Sequence, residues 1–229
     1  LEFHDIITFQ SLQGPALREY HPANNAALPD KSLEFLRELC ETFRIRRVFE
    51  FGSGRSTKLF LDLGCFVSSL ENSNFWMDDT LNSVPLDLRL RHKGFVRPLV
   101  PRFLGLFPVL DWKIDRDLQK EIENADLILI DSPYYTPYRE SSLWQSLILG
   151  QDTIIVVDDT SIPTVSRFCK RIADHNPTIK HLNVAIGHDF DLFLRQGNVK
   201  LTLGHSVTDS FKGWYRFFHG IQFYRRLSK

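Results

Sequence analysis

Val48-Phe49-Glu50-Phe51-Gly52-Ser53-Gly54-Arg55-Ser56-Thr57 is the stretch of this 229-residue chain whose residue types and spacing most plainly allow chemistry. An apolar strand runs into two glycines, and a helix follows. Gly52 and Gly54 lack a Cβ, so the backbone turns tightly and a ligand can lie against it. In open α/β sheets, ligands bind beyond the carboxyl ends of the strands. A dinucleotide fingerprint requires G-x-G-x-x-G, and Thr57 stands at the third glycine position. Glu50 precedes the first glycine by two residues. An anion there is poorly placed beside a pyrophosphate, and well placed for an amino group, directly or through water. Glu-x-Gly-x-Gly therefore favours a cationic ligand that is part nucleoside and part amino acid.

Further acids close other apolar runs. Glu71 follows Phe66–Leu70 and lies 21 residues after Glu50, one βα unit away. Asp131 closes Leu127–Ile130, and Asp158-Asp159 close Ile154–Val157. In a parallel sheet these ends share one rim with Gly52 and Gly54, so four strand ends converge on one crevice.

The run Glu50 to Thr57 resembles the first motif of class I S-adenosylmethionine-dependent methyltransferases, and the likeness extends from about Lys31 to Gly197. The resemblance implies S-adenosylmethionine as cofactor, held by Glu50, Gly52, Ser53, Gly54, Ser56 and Thr57. It assigns Glu71 to the ribose hydroxyls, with Asn72 beside it and Asp131 further along the rim. Asp131, Asp158 and Asp159 resemble the acidic set that holds a divalent cation in catechol-type O-methyltransferases. Mg2+ or another divalent cation is the expectation that follows, since carboxylate oxygens suit such ions. Those enzymes often carry Asn at the position of Asp159. They place a lysine base where this chain has Tyr134, and no lysine occurs between Asp131 and Thr160. Asp131, Tyr134 and Asp158 are the catalytic candidates. The plainer reading of Asp158 and Asp159 is a helix cap or a lining of the cofactor site.

The favoured function is O-methylation of a small-molecule acceptor. Two alternatives stay open. Asp131-Ser132-Pro133-Tyr134 resembles the Asp-Pro-Pro-Tyr motif of amino-group methyltransferases, which points to N-methylation. A non-catalytic binding or assembly module with the same fold is the other. Tyr134, Tyr135 and Tyr138 stack on an aromatic acceptor or cover the core. Arg139 binds an acidic acceptor or lies in the first turn of a helix. His92 and His188 read as surface or capping residues.

These groups need a scaffold, and the hydrophobic pattern supplies one. Leu33, Leu36, Leu39, Cys40 and Phe43 recur at helical spacing, with Asp30 as candidate N-cap. Strands are expected at Arg47–Phe51 and Phe66–Leu70. A third is expected where Leu86, Leu88 and Leu90 alternate with Asp87, Arg89 and Arg91. The runs 127–130 and 154–157 are wholly apolar, as strands covered on both faces require. Helical segments lie at 57–63, 75–84, 115–124, 139–149 and 166–175. Strands His181–Ile186 and Phe190–Arg195 are joined by a short turn, which predicts an antiparallel hairpin. The fold class is α/β: a doubly wound, mostly parallel seven-stranded sheet with a C-terminal antiparallel hairpin and helices on both faces. Residues 1–29 read as an irregular arm and 30–200 as the methyltransferase-like domain. Residues 95–112, with Pro98, Pro101 and Pro108, read as an insertion or lid, and 201–229 as a basic aromatic extension.

Lys plus Arg and Asp plus Glu are 28 each, so net charge is zero and nucleic acid is not an expected partner. Cys40, Cys65 and Cys169 are odd in number and widely spaced, which fits a reducing compartment, the cytoplasm. No apolar run is long enough to span a bilayer. The tail interleaves Trp214, Tyr215, Phe217, Phe218, Ile221, Phe223 and Tyr224 with Lys212, Arg216, Arg225 and Arg226. It packs on its own domain, mediates a homodimer, or lies at a membrane interface. The chain opens on Leu1 rather than Met, so a preceding segment is allowed for.

Overall fold

A computed structural model describes residues 28–104, 106–133, 138–185, 189–197, 200–204, 212 and 214–222. Helix α1 (Asp30–Phe43) leads into β1 (Arg47–Phe51), α2 (Arg55–Asp62), β2 (Phe66–Glu71), α3 (Asn74–Asn82), the one-turn α4 (Leu86–Arg89) and β3 (His92–Val96). Strands β4 (Leu99–Leu104) and β5 (Phe107–Trp112) follow, then α5 (Arg116–Glu123), β6 (Leu127–Ile130), α6 (Arg139–Leu149), β7 (Thr153–Val157), α7 (Pro163–His175), β8 (Lys180–Val184) and β9 (Phe190–Arg195). Residues 214–222 form a last helix, α8.

Seven strands make one sheet in the order β3-β2-β1-β6-β7-β9-β8. All pairs are parallel except those of β9, which runs antiparallel to both β7 and β8. The strand alternation builds two cores. Val48, Val67, Leu127, Leu129, Ile154 and Val156 face α1 and α2, together with Phe35, Leu36 and Phe60. Phe49, Phe51, Ile128, Ile130, Ile155 and Val157 face the other way, against Leu118, Leu143, Val165 and Phe168 of α5, α6 and α7. Full burial of each such side chain contributes roughly 1.5–3 kcal/mol, so the two cores keep the strand ends level with one another.

Two local expectations are corrected. The alternating leucines do not form the third strand. Pro85 precedes a single helical turn at Leu86–Arg89, and Leu86 and Leu90 stay exposed. The strand is His92–Val96, at the sheet edge, where Phe95 is the buried side chain. Lys93 and Gly94 occupy its middle and only Phe95 is buried, so there are too few apolar residues for a period of two to show. Asp30 is the first residue of α1 rather than its cap, which is Pro29 with no side-chain bond. Its carboxylate instead pairs with Arg55 at 2.5 Å.

Strands β4 and β5 pair antiparallel in a two-stranded sheet separate from the main one, hereafter the hairpin. Both of its strands are edges, where proline's missing N–H is tolerated. It is tied to α6: Trp112 Nε1 donates to Ser142 Oγ at 3.2 Å, and Gln145 donates to the Asp111 carboxylate. Phe217 and Ile221 of α8 pack on Leu104, Val109, Leu110 and Tyr138. Trp214, Tyr215 and Phe218 remain largely exposed. Among the described residues no helix is long and apolar enough to cross a membrane.

Candidate active site

The backbone ladder continues one step past the strand ends and puts the predicted groups in a row. Gly52 N donates to Leu70 O (2.9 Å), Asp131 N to Phe51 O (3.1 Å) and Asp158 N to Ile130 O (3.0 Å). Gly52, Glu71, Asp131 and Asp158 therefore stand side by side on one rim. Gly52 has φ +109°, where L side chains are strained, and a Cβ there would meet Ser132 Cβ at 3.1 Å. Gly54 differs: its φ of 168° is ordinary extended backbone, and a Cβ there would meet nothing within 4 Å. That open space lies at the mouth of the turn.

Glu50, Ser56 and Thr57 form the back of the turn. Ser56 Oγ donates to Glu50 Oε1 (2.6 Å); Thr57 Oγ1 (2.7 Å) and Ser69 Oγ (3.0 Å) donate to Oε2. Thr57 Oγ1 also accepts from the Gly54 amide at 3.0 Å. One hydroxyl thus links the buried carboxylate to the glycine backbone. Burial pushes the Glu50 carboxyl up to about 7 despite these three donors. His92 Nε2 bonds Ser69 Oγ at 3.0 Å, and burial brings the imidazole down to about 4. His92 is therefore part of the network behind the turn rather than a surface residue. His188 lies outside the described residues.

Glu71 ends β2 in a nest of amides. Its Oε1 accepts from Asn72 N (2.7 Å) and Ser73 N (3.2 Å), and the Ser53 amide also bonds the carboxylate. Burial raises its pKa, and the amides pull it back. Thr80 Oγ1 of α3 donates to Ser53 Oγ at 3.4 Å, which fixes the turn against α3. The Asn72 side chain is exposed.

On the other side of the row, Asp131, Asp158 and Asp159 place one ligand atom each within 4.8 Å of one another. Asp159 adopts φ 62°, a left-handed turn that Asp and Asn tolerate better than most residues. Burial and the Asp158 charge push the Asp131 carboxyl well up, while Arg139 opposes them. Arg139, the first residue of α6, reaches into this group and is almost wholly buried. It pairs with Asp159 Oδ2 at 2.9 Å and Asp131 Oδ1 at 3.3 Å. Sequence reasoning gave Arg139 no such part. A signal was there: it is the one basic residue between Asp131 and Thr160, among five acids. Tyr134 and Tyr135 lie outside the described residues. Tyr138 is buried, and its hydroxyl donates to the carbonyls of Arg216 (3.4 Å) and Phe217 (3.3 Å) in α8.

No family model and no curated protein sequence matches the chain. Solved structures do. It is similar to the O-methyltransferase TomG of Streptomyces achromogenes, involved in tomaymycin synthesis and bound to S-adenosylmethionine. That likeness has a TM-score of 0.55 at 15% identity, over 83% of this chain and 95% of the other. An O-methyltransferase of Bacillus cereus bound to S-adenosylhomocysteine matches with a TM-score of 0.53 at 16% identity, over 84% and 90%. A methyltransferase of Podospora anserina, also bound to S-adenosylhomocysteine, matches with a TM-score of 0.54 at 11% identity, over 85% and 95%. The chain has the Rossmann-like fold of the class I S-adenosylmethionine-dependent methyltransferases.

Proposed function

We propose that the chain is an S-adenosylmethionine-dependent methyltransferase that acts on an oxygen of a small molecule. The observation that carries this reading is the row of groups on one rim. A strained Gly52, an open Gly54 and a Glu71 carboxylate in a nest of amides stand beside an acidic cluster on the next two strands. Glu71 accepts from the ribose hydroxyls, and Gly52, Ser53, Gly54 and Asn72 line the nucleoside and amino-acid portions. Glu50, Ser56 and Thr57 act from behind, by holding the turn.

When bound, S-adenosylmethionine would supply an electrophilic methyl group: the acceptor oxygen's lone pair would form the new bond to carbon as the carbon–sulfur bond broke, with its pair left on the neutral thioether sulfur. The acceptor proton passes to the carboxylate of Asp131, which is half-buried beside Asp158. Alignment of the oxygen with the methyl carbon and exclusion of water supply much of the rate.

Two observations weigh between the alternatives. Against N-methylation through the Asp-Ser-Pro-Tyr stretch, the carbonyls of Asp131 and Pro133 already accept from Arg139. The spacing of Asp131, Asp158 and Asp159 supports a divalent cation, yet Arg139 stands among them, so the residues do not fit a dication as arranged. Three free, buried cysteines support a reducing compartment, the cytoplasm.

Calorimetric titration with S-adenosylmethionine and S-adenosylhomocysteine tests the reading. One saturable site is expected, weakened roughly 10- to 100-fold in Glu71→Ala, the scale of hydrogen bonds to a charged group. Absence of binding to well-folded protein would leave the non-catalytic module as the better account.

A further inference from the structure

An acidic trio at the acceptor end of the rim needs a cation, and the fold supplies one from its own chain. Arginine carries five N–H donors. Arg139 donates four hydrogen bonds, to the carbonyls of Asp131 (2.8 Å), Asp158 (3.1 Å) and Pro133 (3.5 Å) and to the Asp131 carboxylate (3.3 Å), and its Nη1 forms an ion pair with Asp159 Oδ2 at 2.9 Å. The side chain is 3% exposed. Its charge is permanent, because a guanidinium does not lose its proton in proteins.

The helix that carries Arg139 is also fixed. Tyr138, the residue before it, is clamped by the α8 carbonyls, and Ser142 and Gln145 bond the hairpin at Trp112 and Asp111. Withdrawal of the guanidinium would require α6 to shift against both, or the side chain to leave its four hydrogen bonds and its ion pair.

We propose that Arg139 is the resident cation of the Asp131–Asp158–Asp159 cluster, and that methyl transfer here proceeds without a divalent metal ion. The proposal rests on the methyltransferase reading and narrows its substrate class. A catalytic metal acts on substrate through open coordination positions. A guanidinium held by four hydrogen bonds and an ion pair has no coordination position to offer. The acceptor therefore presents a single nucleophilic atom, and a vicinal dihydroxy compound gains nothing from chelation. Arg139 is a positioning residue: it sets the carboxylates and carbonyls that face the acceptor, and does not itself touch the reacting atoms.

The test titrates MnCl2 into the full chain after EDTA treatment and follows the loss of the free Mn2+ paramagnetic resonance signal. Wild type is expected to show no saturable binding tighter than about 1 mM, and its Tm is expected to be the same with EDTA as with MnCl2. Arg139→Ala opens the trio and is expected to gain one Mn2+ site and a rise in Tm on adding MnCl2. Arg139→Ala combined with Asp158→Asn is expected to lose both gains. A single Mn2+ site in wild type, abolished by Asp158→Asn, would overturn the proposal, and this arm decides even if Arg139→Ala does not fold. A folded Arg139→Ala that gains no Mn2+ would overturn it as well. Binding of S-adenosylmethionine is measured in the same EDTA-treated samples. Its absence would strike the methyltransferase reading and leave the Mn2+ result standing.

Discussion

The rim has two acidic halves that are neutralised by different means. On the β1–β2 side, Glu50 is held by three hydroxyls and Glu71 by backbone amides. On the β6–β7 side, Asp131 and Asp159 are held by one buried guanidinium. Hydroxyls and amides orient a carboxylate without supplying a counter-charge, so the first half is held by neutral donors alone. The second half has already met its cation. The contrast separates acids held by neutral donors from acids held by a buried cation.

The largest expected effect breaks the second half. Arg139→Ala removes a buried partner from neighbouring carboxylates and should cost about 3–5 kcal/mol. Thermal unfolding reads this as a fall in Tm of roughly 6–20 °C for a chain of this size. A change of a degree or less would mean that the trio does not depend on the guanidinium.

The next effect sharpens the first half through pH. The Glu50 carboxyl lies at about 7 in the native state against an ordinary 4.5. The native state thus binds the proton more tightly than the unfolded chain. The stability this contributes is fully present below pH 4.5 and is lost as pH rises through 7. The difference is on the order of 3 kcal/mol. Calorimetric scans should show wild type losing several degrees of Tm between pH 5 and pH 8 relative to Glu50→Gln. Parallel profiles for the two proteins would remove Glu50 as the titrating group.

The smallest effect contrasts the two glycines of one turn. Gly52→Ala forces a side chain into a positive-φ position against Ser132 and should lower stability by about 1–2 kcal/mol. Gly54→Ala places a methyl in open space on extended backbone, so stability should shift by less than about 0.5 kcal/mol. Its cofactor affinity should nevertheless fall, because the methyl occupies the mouth of the turn. Unchanged affinity of Gly54→Ala for S-adenosylmethionine would move the ligand away from that face.

Much of this was legible in the chain. Leu127–Ile130 and Ile154–Val157 were readable as buried parallel strands because burial on both faces demands unbroken apolar runs. The glycine turn was readable because its residues are contiguous, and Glu50, Ser56 and Thr57 meet within one βα unit. The edge strand at His92–Val96 was not, since it buries a single side chain, Phe95, and one residue makes no period. The turn at Leu86–Arg89 carried an alternation that no sheet uses.

By itself the sequence determined which residues end the buried strands, because strand ends follow from local apolar runs. It also placed the glycine turn on the same rim, whereas the position of Glu50 behind that turn came from the structure. Only the tertiary structure decided what each acid meets. Glu50 finds Ser69 from the neighbouring strand, and Asp131 and Asp159 find Arg139 from the start of α6. Those partners are set by the register of β1 with β2 and by the anchoring of α6 to the hairpin and α8. Such pairings come from packing between separate elements, whose relative placement residue spacing does not encode.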